Sequence, residues 1–243
     1  MLLRRAVAEA VGTGLLVLAV LGSGIAGSRL SGDTGIQLLV NALATAGALV
    51  AIILAVGPVS GGHLNPAVTL ADLVLGGLRA AEAGAYCLAQ VVGGVAGAVV
   101  ANLMFSEPAV ALATASRGSG ALWLSEVVAT FGLLLVIFGI VRSGRAVVAP
   151  FAVAAYIGGA YFFTSSTSFA NPAVTAARSL SDTFAGINPG SVPAFVACQL
   201  AGAGLAIALT RFLHPSIAPL RGPLGPFAGV APEVVVPHEE RGA

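Results

Sequence analysis

Apolar residues in this chain run in long unbroken stretches, and polar residues interrupt them at intervals. Six stretches are long enough to cross a membrane, at approximately 5–26, 36–57, 83–105, 121–141, 147–165 and 191–213. About 20 residues of helix span ~30 Å of hydrocarbon. Backbone groups in lipid find no water, so each stretch must satisfy its own hydrogen bonds, and a helix does this. The alternating segments of about ten residues that mark a membrane β-strand are absent. The reading is an all-α membrane protein with six spanning helices. The first stretch, from Ala6, is too long for a secretory leader and reads as a retained first span.

Two further segments, Asn65–Leu75 and Asn171–Leu180, are too short to span. Each opens with Asn-Pro-Ala-Val-Thr. Asparagine is a natural helix cap, and proline in the first turn loses no needed hydrogen bond. These segments read as half-helices that enter the membrane and stop. Before them lie Ser60-Gly61-Gly62-His63 and Thr164-Ser165-Ser166-Thr167-Ser168. Non-helical chain at membrane depth is tolerated where it lines a polar cavity.

The chain repeats itself. Glu9 within Ala8–Leu15 answers Glu126 within Ser125–Leu133, the two Asn-Pro-Ala-Val-Thr segments are identical, and Gln90-Val91-Val92-Gly93-Gly94 answers Gln199-Leu200-Ala201-Gly202-Ala203. The units cover approximately 1–112 and 118–213. Three spans per unit is an odd number, so the second copy is inserted upside down. The half-helices then enter from opposite faces and meet with their N-termini at the centre.

Composition reinforces the membrane reading. Only 9% of the 243 residues are charged, and lysine is absent; a soluble domain carries about a quarter charged residues. Many of the 32 glycines lie inside apolar runs, where small residues let membrane helices approach closely. The arginines form no concentrated patch, which argues against nucleic acid. Their placement is nonetheless informative. Arg4, Arg5, Arg79, Arg142, Arg145 and Arg211 fall on one side of the six-span arrangement, and Arg29 and Arg117 on the other. The positive-inside rule puts both termini in the cytoplasm. Residues 1–213 read as the membrane domain, and the proline-rich segment 214–243 as a flexible cytoplasmic tail. Cys87 and Cys198 read as buried thiols, since two cysteines without histidine partners make no tetrahedral metal set.

Asn65 and Asn171, followed by Pro66-Ala67 and Pro172-Ala173, face the central axis in this arrangement. Their amides suit a passing neutral solute, and two helix N-termini at the same depth disfavour cations. A carboxylate in an apolar helix needs partners. Glu9 and Glu126, matched by the repeat, read as acceptors for the irregular backbone before each half-helix, with Gln90 and Gln199 as further loop-bracing groups. His63 reads as a pore-wall or loop-bracing donor rather than a metal ligand. No nucleophile–base arrangement of an enzyme can be assembled.

These residues, above all Ser60-Gly61-Gly62-His63-Leu64-Asn65-Pro66-Ala67-Val68-Thr69, resemble the aquaporin and aquaglyceroporin family (the major intrinsic proteins) over roughly residues 5–213. The resemblance implies the aquaporin-like fold, a homotetramer with one pore per subunit, passive diffusion of water or small neutral solutes across a bacterial plasma membrane, and no cofactor. It also implies a second constriction. Counting from the two asparagines puts its residues at Thr45, Gly159 and Ser168, with Val174 where the family's arginine stands. All four are small, so a wide opening is expected, without aromatic or guanidinium. Arg178 lies seven residues beyond Asn171, about two helical turns. It reads as bracing Ser181–Ile187, with Asp182 one turn along the same half-helix as its partner. The segment Asn-Pro-Ala-Val-Thr-Ala-Ala-Arg looks like the bacterial aquaglyceroporin subgroup associated with arsenic resistance, which implies neutral trihydroxy metalloids such as arsenous acid beside glycerol-like polyols. The alternatives are an ordinary water or glycerol channel, an ion-coupled secondary transporter using Glu9 and Glu126, and a membrane protein whose pore is closed.

Overall fold

The structure is a computed structural model and describes residues 1–215; the tail expected over 214–243 lies, from residue 216 onward, outside the described residues. Among the described residues, six helices are long and apolar enough to cross a membrane. In chain order the helices are α1 (Leu2–Leu30), α2 (Thr34–Ser60), α3 (Pro66–Val74), α4 (Ala80–Met104), α5 (Gly120–Arg142), α6 (Ala149–Phe163), α7 (Pro172–Arg178) and α8 (Val192–Leu213). The short helices α3 and α7 are the two half-helices. A 3-10 turn at Ala146–Val148 leads into α6, and another at Pro189–Ser191 leads into α8.

The repeat is visible in the packing. Helix α1 lies against α4 and α2, and α5 lies against α8 and α6. The units also interlock, for α3 packs on α8 and α7 on α4. Each half-helix is thus held by an outer helix of the opposite unit. Arg5 pairs with Glu82 at 2.9 Å, Arg79 with Glu82 at 3.2 Å, and an Arg211 nitrogen donates to the Val74 carbonyl at 2.8 Å. These contacts gather arginines from both units at one end of the bundle. Leu39, Leu43, Leu88, Val92, Phe162 and Phe212 are exposed, as apolar surface that faces lipid would be.

Glycine sets how closely the outer helices cross. A Cβ on Gly97 would strike the Gly14 carbonyl, and one on Gly93 would strike the Ala10 carbonyl. On the other side of the bundle, a Cβ on Gly202 would strike the Val127 carbonyl. The obstacle is backbone in each case, so no rotamer change relieves it. Gly97→Val is therefore expected to destabilise the bundle by roughly 3 kcal/mol or more, read as loss of monodisperse protein and a lower unfolding temperature in detergent.

Candidate functional site

The half-helices meet through their caps. The Asn65 side chain accepts from the Ala67 amide at 2.8 Å, which closes the first turn of α3. Asn171 accepts from the Ala173 and Val174 amides at 3.0 and 3.2 Å, closing α7. Each side-chain amide then crosses to the other unit. Asn65 Nδ2 donates to the Ala170 carbonyl at 2.8 Å, and Asn171 Nδ2 donates to the Leu64 carbonyl at 2.8 Å. An amide nitrogen carries two hydrogens, so each asparagine keeps one for the cavity that both line. Pro66, Ala67, Pro172 and Ala173 build this junction without lining the cavity; their place is in the helix starts.

The carbonyls reach across because the preceding backbone is left-handed at matching places. Gly61, Gly62 and Leu64 have φ of 94°, 59° and 52°; Thr167, Ser168 and Ala170 have 63°, 52° and 47°. In both units these are the fourth, third and first residues before the asparagine. Three of the four side-chain-bearing residues here sit in the second unit. Left-handed backbone costs each of them roughly 1–2 kcal/mol, so something must hold the loop.

Glu9 and Glu126 hold it. Glu9 accepts from Ser60 Oγ at 2.6 Å, His63 N at 2.9 Å, Leu64 N at 2.7 Å and Gln90 Nε2 at 2.7 Å. Glu126 accepts from Phe169 N and Ala170 N, both at 3.0 Å, and from Gln199 Nε2 at 2.6 Å. Successive backbone amides in such a turn form an anion-binding concavity, and each carboxylate fills its own. Gln90 and Gln199 extend the network to Thr69 and Thr175 at 3.0 and 2.8 Å. All four side chains are fully buried and lie behind the cavity wall. His63 lines the cavity; its Nδ1 lies 3.1 Å from Thr69 Oγ1 and its ring packs edge-on against Tyr86.

The cavity extends to both sides of the junction. Leu16, Val20, Leu133, Ile137 and Val153 give it apolar walls. On the α7 side, Thr45, Ser168 and Val174 line it, but Gly159 does not. Gly159 faces outward, and Ile157 and Tyr161 hold the α6 wall. Two residues along a helix turn the side chain by roughly 200°, so a small error in register moves the choice to the opposite face. Tyr161 Oη lies 3.0 Å from Thr45 Oγ1. Phe169 and Arg178 also line this part. The expected wall of small residues alone is thus corrected: two aromatic residues, Tyr161 and Phe169, and the Arg178 guanidinium stand beside them.

The Arg178–Asp182 pairing is also corrected. Helix α7 ends at Arg178, with Ser179 as its C-cap, so Asp182 does not continue the same helix face. Asp182 instead accepts from Thr114 N and Thr114 Oγ1 at 2.9 and 3.0 Å. Arg178 does brace the segment after α7, through Nε donating to the Ala185 carbonyl at 2.5 Å. Its guanidinium carbon stacks 3.4 Å from the Phe169 ring centre. Arg117, read from the sequence only as a topological marker, reaches the same ring at 4.9 Å and donates to the Gly186 and Ser166 carbonyls at 3.2 and 3.4 Å. Burial pushes its guanidinium below the ordinary value. A lone arginine in a long loop carried no signal of this role. Cys87 and Cys198 are unpaired and half-buried rather than buried. Among the described residues no cluster of histidine, cysteine and carboxylate side chains is arranged to hold a metal.

The family model described as "Major intrinsic protein" (MIP) matches residues 1–168. The chain is 49% identical over 195 residues to "Aquaglyceroporin AqpS" of Rhizobium meliloti (strain 1021), covering 80% of this chain and 83% of that one. It is 34% identical over 165 residues to "Probable aquaporin TIP-type alpha" of Phaseolus vulgaris, covering 64% of each. The X-ray structure of the aquaglyceroporin from Plasmodium falciparum superposes with a TM-score of 0.65 at 19% identity, covering 90% of this chain and 98% of that one, a likeness of fold.

Proposed function

This chain belongs to the major intrinsic protein family, as a multi-pass passive channel of the aquaglyceroporin type rather than an enzyme, and from that premise we propose that it conducts glycerol-like polyols and neutral metalloid hydroxides such as arsenous acid. The observation that carries this reading is the character of the cavity. Its walls are apolar, and its polar groups include amides and hydroxyls suited to a neutral solute, on Asn65, Asn171, Thr45, Ser168 and Tyr161, beside His63 and Arg178. Polyols and trihydroxy metalloids present hydroxyls to such groups and carbon or bare metalloid to such walls.

Glu9 and Glu126 speak against ion-coupled transport. They are the two carboxylates that the repeat marks for a coupled cycle, yet both are engaged with loop backbone behind the wall. In this reading Asn65 and Asn171 form the central narrow point, and Thr45, Ser168 and Val174 belong to a second one. Residues 1–213 form the channel domain, and four copies assemble, each with its own pore. The arginine-rich end bearing Arg5, Arg79 and Arg211 faces the cytoplasm of the plasma membrane.

The test is solute flux into proteoliposomes with no ion gradient, against empty liposomes. Glycerol and arsenous acid are both expected to equilibrate at rates linear in concentration. Glycerol flux with arsenous acid entering only as fast as in empty vesicles removes the metalloid from the proposal. Accumulation above equilibrium on an imposed ion gradient replaces the channel with a transporter.

A further inference from the structure

We propose that Arg178 is a specificity-determining residue of this lumen, excluding cations by its charge and offering its two terminal nitrogens as a fork to solute hydroxyls. The inference rests on the channel reading above and goes beyond it. Position 174 holds valine, so the lumen has no guanidinium there. Arg178 lies one turn further along α7, on the same helix face as Val174, and both line the cavity with Thr45, Tyr161 and Ser168.

The side chain is fixed. The bond from Nε to the Ala185 carbonyl and the stack on Phe169 anchor its inner edge and one face. Neither terminal nitrogen has an acceptor among the described residues, and neither is fully buried, on a side chain that lines the cavity. A buried guanidinium ordinarily finds a carboxylate. Here Glu9, Glu126 and Asp182 are each engaged elsewhere. Arg117, on the same phenylalanine, also bonds only to carbonyls through its guanidinium. Two positive groups without a bonded counter-charge therefore stand at the α7 mouth, and one of them presents free donors to the lumen. A planar fork of N–H groups suits two hydroxyl oxygens of one solute.

The experiment compares wild type, Arg178→Gln and Arg178→Lys in the same proteoliposomes, measuring glycerol flux and proton conductance, with unfolding temperature as a check. Arg178→Gln is expected to raise proton conductance about tenfold or more while glycerol flux falls. Loss of a merely structural brace would lower both together. Arg178→Lys keeps the charge and loses the fork, so cation exclusion should hold while glycerol flux falls. Folded Arg178→Gln protein with wild-type proton exclusion overturns the inference, as does a joint fall of both readouts. Should the glutamine variant not fold, Arg178→Lys decides: wild-type glycerol flux, or a proton leak, overturns it. Wild-type protein that passes no glycerol defeats the channel reading itself, a distinguishable outcome.

Discussion

Glu9→Gln is expected to leave little folded channel. The carboxylate takes four donors on two oxygens: Ser60 Oγ and His63 N on one, Leu64 N and Gln90 Nε2 on the other. Glutamine offers one oxygen, and its amide group turns hydrogens toward whichever two donors it faces. Each buried group left unpaired costs about 1–3 kcal/mol, so the loss is roughly 2–6 kcal/mol against a total stability of about 5–15 kcal/mol for a typical protein. Backbone at the junction is released at the same time, because Leu64 supplies the carbonyl that Asn171 binds. Glu126→Gln is expected to cost less, since three donors are at stake. Thermal unfolding in detergent, beside glycerol flux from reconstituted protein, checks both. A glutamine variant at position 9 that folds as well as wild type but conducts differently would instead mark Glu9 as a transport residue.

Asn65→Asp carries the second large effect. Asn65 Nδ2 lies 2.8 Å from the Ala170 carbonyl; aspartate puts an oxygen there, and two acceptors face each other. The junction is expected to open at a cost of about 3–5 kcal/mol, that of a buried charge without a partner. The new charge lies at the junction of the half-helices, in an otherwise donor-rich lumen, and favours cations. Planar-bilayer recording should show potassium current through Asn65→Asp and none through wild type. Asn65→Ala separates the two contributions: it removes the tie without adding charge, so it should destabilise without conducting ions. Asn65→Asp without current, in protein shown to pass glycerol, would remove the central junction as a control point for ions.

The sequence made some of this legible and hid the rest for identifiable reasons. Glu9, Gln90 and Asn65 stood out because Glu126, Gln199 and Asn171 repeat them at matching places, and a polar residue in an apolar run needs a partner. The span limits were readable within a few residues, as apolar length alone sets them; α6, expected over approximately 147–165, is Ala149–Phe163. The left-handed loop of the second unit was not readable. Thr167, Ser168 and Ala170 carry no glycine signal, and their backbone is imposed by Glu126 from a distant helix. Tyr161 was missed in favour of Gly159 because counting along the chain fixes a position but not which face of the helix meets the cavity. Arg178 was assigned a local partner because the half-helix was expected to run to Leu180, whereas it stops at Arg178 and the chain then turns away.

The crossed asparagine bonds also govern when the molecule can be finished. Asn65 is tied to a carbonyl 105 residues later in the chain. At synthesis rates of about 5–20 residues per second, a ribosome needs on the order of 5–20 s to deliver it. Through that interval the first half-helix has its proline and its cap, yet its crossing amide has no acceptor and its outer support, α8, has not been made. The first unit cannot mature by itself on the way out of the insertion machinery. Two separately expressed halves, inactive alone, should therefore regain glycerol flux only when made in the same membrane.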